Sequence, residues 1–308
     1  MITVALYGGL GNQMFQYAFG RRLALQNKTS LMLDTSHYSK YSDRNYELGC
    51  FRLGNDVTVG SAPKTFYDFG SAKNRFDRLK QLKLKLEGAP KLIAQRGFSF
   101  DLIGLVGAEN DTVGQLDRLA LKAGGNSYVS GFWQNEKYFL DYAENIRQDF
   151  SFNKKASGEN AKIMDKIQAA EAPVSIHVRR GDYVTSPDAS STIGMLGEKY
   201  YAKAIKKAME DIDNPSFYVF SDDPAWCKAN LNLGGQAVFV EHNPPSKGWE
   251  DLRLMIACKH HVVANSSFSW WGAWLNPSSS KVVYAPKVWF RDTTIDTSDV
   301  VPRNWIRL

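Results

Sequence analysis

Residues 2–13 read Ile-Thr-Val-Ala-Leu-Tyr-Gly-Gly-Leu-Gly-Asn-Gln, and this stretch decides the fold. Its first six residues are almost wholly apolar, which is typical of a central parallel strand buried on both faces. A glycine turn follows, and apolar residues then recur at helical spacing up to Gln26. The next strand is predicted at 31–34. Such a β-α-β unit indicates a parallel sheet with right-handed crossovers.

The same alternation restarts in the second half of the chain. Strands are predicted at 174–178, 216–220, 237–240, 261–264 and 282–285, with helices between them at 199–211, 224–230, 249–258 and 270–275. The polar stretch 153–160 is the predicted interdomain linker. We therefore predict an α/β protein of two Rossmann-like domains, 1–155 and 156–308, facing a cleft. Ligands in such sheets bind at the carboxyl ends of the strands.

The overall composition excludes several classes of protein. With 44% hydrophobic and 23% charged residues, the chain is typical of a soluble globular protein. It contains no apolar run of about 18 residues, so no membrane-spanning helix is expected. Three scattered cysteines fit neither a disulfide framework nor a zinc site and favour a cytoplasmic location. The net charge of +6 suits anionic partners. The basic residues are dispersed along the chain and do not cluster with aromatic residues, which argues against a nucleic-acid-binding surface.

A basic segment at 73–87 is predicted to form an amphipathic helix. Its apolar residues Phe76, Leu79, Leu82 and Leu86 share one helical face. We predict that this stripe packs into the core and that the basic face is solvated. A helix lying on a membrane surface is the alternative.

The strand at 174–178 delivers the most informative polar residues. His177, Arg179, Arg180 and Asp182 surround its end and the glycine turn that follows. A guanidinium group binds phosphate or carboxylate oxygens in a bidentate way. The pattern therefore predicts an anion site, whereas two surface arginines in salt bridges would be the ordinary alternative.

The first glycine loop resembles a dinucleotide site only in part. Gly9 and Gly11 are present, but Met14 occupies the position of the third glycine of that fingerprint. Asp34 ends the second predicted strand, where a ribose-binding acid would lie. An NAD-dependent oxidoreductase with an atypical loop therefore remains an alternative function.

Several polar residues have a purely structural interpretation. Asp223 followed by proline is a good helix start, and Asp251 in a first helical turn complements the helix dipole. Ser266 or Ser267 could cap the following helix or present donors to phosphate. The pair Asp211 and Asp213 precedes a turn, and no histidine spacing fits a metal, so no metal site is predicted.

Taken together, the motifs resemble the bacterial α-1,2-fucosyltransferases of glycosyltransferase family eleven. The resemblance rests on GGLGNQMFQY at 8–17, GFWQNEKYF at 131–139, HVRRGDY at 177–183, FSDDP at 220–224 and NSSFSWW at 265–271. These motifs lie in the right order along nearly the whole chain. Asn135 departs from the family, in which serine is more frequent at that position.

The resemblance implies a GT-B fold and a galactoside α-1,2-fucosyltransferase. The donor would be GDP-β-L-fucose, bound by the C-terminal domain without a metal or other cofactor. The acceptor, on the N-terminal side, would be an oligosaccharide or lipid-linked glycan that ends in β-galactose. Inversion would give the α-1,2-linked product. Such acceptors leave open a peripheral contact of a cytoplasmic enzyme with the inner membrane surface.

The resemblance also implies roles for individual residues. Arg179 and Arg180 would stabilise the departing diphosphate, and Asp182 is the candidate base, with Asp34 as second choice. The remaining substrate-binding positions are Asn12 and His177 for the donor, Asp251 for guanine, and Ser266 and Ser267 for the diphosphate.

Overall fold

The computed structural model describes residues 1–39, 44–62, 65–68, 74–95, 117–181, 194–234, 237–291 and 297–308. The chain forms two compact units. The first comprises Met1–Ser151 and Ser298–Val300, and the second comprises Phe152–Thr297 and Val301–Leu308. The sequence predicts an acceptor-binding role for residues 1–155 and a donor-binding role for residues 156–308. Both roles stay predictions.

The first unit is built around a parallel sheet. Its strands are β1 (Ile2–Ala5), β2 (Leu31–Asp34), β3 (Val57–Gly60), β4 (Lys91–Ala94) and β5 (Ser127–Ser130), in the spatial order β3-β2-β1-β5-β4. Its helices are α1 (Leu10–Gln26), α2 (Arg75–Leu86) and α3 (Ala143–Asp149). Every residue of β1 is buried, as its apolar sequence predicts for a strand with neighbours on both edges.

Helix α1 packs closely on this sheet because it carries a glycine where the two elements meet. A Cβ atom at Gly20 would lie 2.2 Å from Cγ2 of Val4. Any larger residue would therefore push the helix away from β1. The predicted β-α-β unit is confirmed, with β1 and β2 parallel and in register from Ile2 opposite Leu31.

The second unit repeats the architecture. Its strands are β6 (Ala172–Val178), β7 (Pro215–Ser221), β8 (Ala237–Val240), β9 (His260–Val262), β10 (Val283–Ala285) and β11 (Ile306–Arg307), in the order β11-β10-β9-β6-β7-β8. Its helices are α4 (Gly158–Ala169), α5 (Glu198–Asp211), α6 (Pro224–Asn230), α7 (Gly248–Ala257) and α8 (Ser267–Leu275). All strand pairs in the two sheets are parallel among the residues described. The predicted α/β class with two Rossmann-like domains is confirmed.

Two predictions about particular segments are wrong. The polar stretch 153–160 is not linker throughout, because α4 begins at Gly158 with Glu159 in its first turn, where a carboxylate favours a helix start. The apolar stripe of the helix at 73–87 is not in the core. Helix α2 has no buried residue, and Phe76 is 83% exposed.

Candidate active site

The order of the strands indicates a candidate ligand site at one edge of the second sheet. The chain runs from β6 outwards to β7 and β8, and then returns to place β9 on the other side of β6. Strands β6 and β9 therefore flank the point where the winding direction reverses. In open α/β sheets, ligands bind at the carboxyl ends of the strands at this switch point. Of the predicted residues, His177 lies at the end of β6, Arg179 and Arg180 follow it directly, and Ser266 and Ser267 follow β9.

Two carboxylates at the end of β7 hold the two arginines. Nη1 of Arg179 lies 2.8 Å from Oδ2 of Asp222, and Nε of Arg180 lies 3.0 Å from Oδ2 of Asp223. Asp222 also accepts hydrogen bonds from the backbone amides of Arg180 (2.8 Å) and Gly181 (3.0 Å). The turn after β6 is thus fixed to the neighbouring strand at four points. Both arginines remain partly exposed, so a ligand can still reach their guanidinium groups.

Asp223 serves the fold and the arginine at once. Its Oδ1 accepts the backbone N–H of Trp226 at 3.0 Å, which caps α6 as the sequence predicted. The guanidinium carbon of Arg180 lies 4.2 Å from the centre of the Trp226 ring. Arg180 is therefore held by a carboxylate at Nε and by an aromatic face. The sequence interpretation identified the cap but missed this second role of Asp223.

His177 is an electrically neutral group at the same edge. It is 7% exposed, and burial, followed by the charge of Arg179, lowers its pKa to about 3. Its ring lies 5.5 Å from that of Phe268 in α8, across the switch point. Its Nδ1 atom is buried with no hydrogen-bond partner among the residues described. At neutral pH it can give or accept one hydrogen bond, but it adds no charge for a phosphate.

Ser266 and Ser267 lie at the start of α8. Oγ of Ser266 accepts the backbone N–H of Phe268 at 3.3 Å, so Ser266 is the N-cap and Ser267 the first helical residue. The loop before them is fixed by Asn265, whose Nδ2 donates to the carbonyl oxygens of Gly194 (2.9 Å) and Trp289 (3.1 Å). The capping interpretation is correct for Ser266. Because a helix N-terminus carries partial positive charge, capping is compatible with anion binding at this end of α8.

Asp251 lies further along the same edge, in the first turn of α7 and in a network of amide side chains. Its Oδ1 accepts Nδ2 of Asn243 at 2.7 Å, and Nδ2 of Asn243 also donates to Oδ1 of Asn160 at 3.0 Å. A ring nitrogen of His242 lies 2.8 Å from the same Asn160 oxygen. Burial, followed by the charge of Glu250, raises the pKa of Asp251 to about 6, although the Asn243 hydrogen bond lowers it. The sequence interpretation missed Asn160, His242 and Asn243, which carry no local motif.

The first unit has its own switch point, and two of the motifs flank it. Strands β1 and β5 are neighbours, although the chain runs outwards from β1 to β2 and β3 and then crosses to β4 at the opposite edge before it returns to β5. The turn at Gly8 and Gly9, which leads into α1, follows β1, and the segment 131–135 follows β5. Nε2 of Gln134 donates to Oδ1 of Asn12 at 2.9 Å, which joins the two motifs. Gly8 has a φ of 75°, a conformation that glycine adopts at little cost.

The two candidate bases have different outcomes. Asp182 lies outside the described residues. Asp34 is buried and accepts three hydrogen bonds, from the Tyr128 hydroxyl at 2.6 Å and from the backbone amides of Ser36 at 3.0 Å and Ala62 at 3.1 Å. Burial alone would raise the pKa of Asp34, but these donors outweigh it and hold the pKa below its ordinary value. Such a carboxylate is a weak base, and both of its oxygens already accept hydrogen bonds, which argues against Asp34.

The pair Asp211 and Asp213 shows no metal-binding arrangement. Asp211 pairs with Lys207 and accepts the Tyr284 hydroxyl at 2.9 Å, and Asp213 is exposed. In the part of the chain that the structure describes, no three His, Cys, Asp or Glu side chains are grouped so that they could hold a metal ion. Within that same part, no helix combines the length and the apolar character needed to cross a bilayer.

Comparison with known proteins identifies the family. The family model described as glycosyl transferase family 11 matches residues 112–308. The chain is 33% identical to an α-1,2-colitosyltransferase of Escherichia coli, over 100% of this chain and 99% of that one. It is 31% identical to the O-antigen biosynthesis glycosyltransferase WbnK of Escherichia coli, over 98% and 99%. Human galactoside α-(1,2)-fucosyltransferase 1 is 27% identical over 48% of this chain and 42% of its own length.

The same comparisons settle the fold type and remove one alternative. The crystal structure of the fucosyltransferase NodZ from Bradyrhizobium superposes with a TM-score of 0.50 at 14% identity, covering 90% of this chain and 93% of that one. The two parallel sheets are therefore of the GT-B type. Nothing in the comparisons supports the oxidoreductase reading of the Gly9–Gly11 loop, whose third glycine position is filled by Met14. The chain belongs to glycosyltransferase family 11.

Proposed function

We propose that the protein transfers L-fucose from GDP-β-L-fucose to the 2-hydroxyl group of a terminal β-galactoside, with inversion to an α-1,2 linkage. The acceptor oxygen attacks the anomeric carbon of fucose as the bond to the β-phosphate oxygen breaks. The electron pair of that bond leaves with GDP, and the acceptor proton passes to a base. We keep Asp182 as that base and propose a cytoplasmic location.

The observation that carries this proposal is the pair of held arginines at the switch point of the second sheet. A diphosphate that departs without a metal needs cationic donors already in place where its charge develops. Arg179 and Arg180 have this charge, and each is fixed by its own carboxylate. Because Asp222 also holds the turn through two backbone amides, the guanidinium groups need little reorganisation when the leaving group forms.

Other residues are assigned to parts of the donor and acceptor. We place the diphosphate near Ser266 and Ser267, where the positive end of α8 complements its charge. His177 offers Nδ1 to the nucleotide or the sugar, and Asp251 in its ionised form accepts from the N–H groups of guanine. Asn12 stays a substrate-binding residue, fixed by Gln134. No metal ion or other cofactor takes part in this proposal.

A second donor has a specific observation in its favour. A relative that is 33% identical over the full chain is named as a colitosyltransferase. Colitose is 3-deoxy-L-fucose, so the two sugars differ by one hydroxyl group. A site that hydrogen-bonds a hydroxyl group rejects the analogue without it by about 10⁴- to 10⁵-fold, whereas an apolar site discriminates far less.

The test is a comparison of kcat/KM for GDP-fucose, GDP-colitose and GDP-mannose with a β-galactoside acceptor. We expect GDP-fucose to be the best donor and GDP-mannose to be inert. If GDP-colitose is the preferred donor, the transferred sugar is the 3-deoxy form of L-fucose and the proposed type of reaction is unchanged. Transfer from neither 6-deoxy sugar would contradict the proposal.

A further inference from the structure

Helix α2 turns four of its five apolar residues towards solvent. Phe76 is 83% exposed, Leu86 79%, Leu79 54% and Leu82 43%. At 3.6 residues per turn, Leu79, Leu82 and Leu86 form one stripe along the helix, and Phe76 extends it at the first turn. An amphipathic helix of a globular domain normally buries such a stripe. In α2 the apolar stripe faces solvent and the opposite face contacts the protein, so the stripe is available to another partner.

The opposite face of α2 confirms this orientation. Asp77, Gln81 and Leu84 are the three residues of α2 that are partly buried, and they lie on the side away from the stripe. Oε1 of Gln81 accepts the backbone amide of Asp68 at 2.7 Å, which ties this polar side to the first unit. The apolar stripe is therefore exposed by the way the helix is attached.

Basic side chains border the stripe on both sides. The helix contains five basic residues, Arg75, Arg78, Lys80, Lys83 and Lys85, against one acidic residue, Asp77. It thus carries four of the six net positive charges of the chain. Arg78 and Lys85 lie on one flank, and Lys80 and Lys83 on the other. Arg75, Arg78, Leu79 and Leu82 line one surface depression, in which cationic groups adjoin apolar ones.

We propose that α2 lies in the surface of an anionic phospholipid bilayer, with its stripe among the acyl chains and its basic flanks at the headgroups. A helix with an apolar stripe and a basic polar face has the chemistry of an interfacial membrane helix. Long basic side chains can keep their charge at the headgroups while their stems cover apolar surface. A second copy of the chain is a poor partner, because two patches of charge +4 would repel each other.

Helix α5 provides an internal contrast. It is also rich in lysine, but its apolar residues Tyr201, Ala204, Ile205 and Ala208 are buried against the second sheet. Its exposed Lys203 and Lys206 therefore lie on a face without an apolar stripe, where Met209, 40% exposed, is the one exposed large apolar residue of the helix. If lysine charge alone attracted anionic lipid, both helices would bind it. If binding needs an exposed apolar stripe as well, only α2 of the two helices should bind.

The experiment is flotation of the full chain with vesicles of phosphatidylglycerol and phosphatidylcholine, with phosphatidylcholine vesicles alone as the neutral reference. Three double variants are compared with the wild type: Leu79→Ser with Leu82→Ser, Arg78→Gln with Lys85→Gln, and the control Lys203→Gln with Lys206→Gln. Circular dichroism and the melting temperature check folding, which exposed positions should leave intact.

We expect the wild type to float with the anionic vesicles only, and less so at high salt. Each basic residue at an anionic surface contributes about fivefold in affinity, so the Arg78 and Lys85 variant should lose about 25-fold. The leucine variant should lose binding even at low salt, and the α5 control should bind as the wild type.

Three outcomes would overturn the proposal. The wild type could fail to float with anionic vesicles, or the α5 control could weaken binding as much as the α2 variants. Light scattering could also show twice the chain mass of 34.6 kDa in the wild type and a single mass in the leucine variant. That last result would assign the stripe to a second copy of the chain.

Discussion

Nη1 of Arg179 lies 2.8 Å from Oδ2 of Asp222, and the same carboxylate accepts the backbone amides of Arg180 and Gly181. One side chain from β7 therefore fixes both the turn after β6 and the first arginine in it. Asp223, the next residue, holds Arg180. The candidate diphosphate site is thus built from two pairs on neighbouring strands.

Replacement of either arginine tests the role of these pairs in catalysis. Removal of one fixed donor to a developing charge costs about two to three orders of magnitude in kcat. We expect Arg179→Ala and Arg180→Ala to show this loss, with a much smaller effect on acceptor KM. Lysine should rescue poorly, because it lacks the planar fork. Near-normal kcat in the variant lacking both arginines would refute the diphosphate role.

A glycine-to-alanine pair tests whether Asp222 positions the turn. A Cβ atom at Gly181 would lie 2.9 Å from Oδ2 of Asp222, whereas at Gly197 nothing lies within 4 Å. Displacement of a catalytic group by about 1 Å can cost about 10²-fold in rate. We expect Gly181→Ala and Asp222→Ala to lower kcat to that extent, and Gly197→Ala to leave it unchanged. Equal kcat values for Gly181→Ala and Gly197→Ala would remove Asp222 from this role.

The raised pKa of Asp251 predicts a pH dependence of nucleotide binding. Its pKa is about 6 in the folded protein. The ionised form is the one that can accept from guanine, so GDP affinity should fall as the pH drops through 6. Well below that value the loss approaches about tenfold per pH unit. Calorimetry should measure GDP affinity against pH for the wild type and for Asp251→Asn. Protonation of GDP itself affects both proteins equally, so the difference between the two pH profiles isolates Asp251.

The same pKa has a consequence for stability, with a defined sign. An unfolded Asp titrates near a pKa of about 3.9. Between pH 4 and 6 the folded state therefore retains a proton that the unfolded state has released. Asp251 should make the free energy of unfolding decrease as the pH rises through this window. Chemical denaturation of Asp251→Asn should lack that component, and an unchanged pH profile would contradict the raised pKa.

The proposed mechanism without a metal ion predicts that activity is insensitive to chelation. We expect EDTA to leave activity intact, and Asp211→Ala with Asp213→Ala to retain wild-type kcat. The structure adds that this variant should lose stability by about 1 kcal/mol, because the Tyr284 hydroxyl loses its acceptor Asp211. Loss of activity in EDTA that manganese or magnesium restores would contradict the absence of a metal.

The sequence predicted the fold well where local patterns determine it. The apolar strands β1 and β6 and the glycine-bounded start of α1 follow from burial on both faces and from helical spacing. The cap of α6 by Asp223 is equally local. The prediction that the apolar stripe of α2 packs into the core is wrong, because periodicity shows which residues share a face but not what that face contacts.

The candidate site was only partly predictable for the same reason. His177, Arg179 and Arg180 adjoin one another at a predicted strand end, which is a local signal. The partners Asp222 and Asp223 lie some forty residues further on, and become neighbours only through the pairing of β6 with β7. Asp251 and the two amide side chains of its network, Asn243 and Asn160, likewise come from three separate segments. One sequence signal was available for the arginine–carboxylate pairs. Two consecutive carboxylates follow one predicted strand, and two consecutive arginines follow another.

The most direct test of the account is the linkage of the product formed from GDP-β-L-fucose and a β-galactoside-terminated acceptor, determined by NMR. We predict a single fucose in the α configuration on the 2-hydroxyl group of the terminal galactose, formed equally well in EDTA. A product with the β configuration, or with fucose on another hydroxyl group, would contradict it.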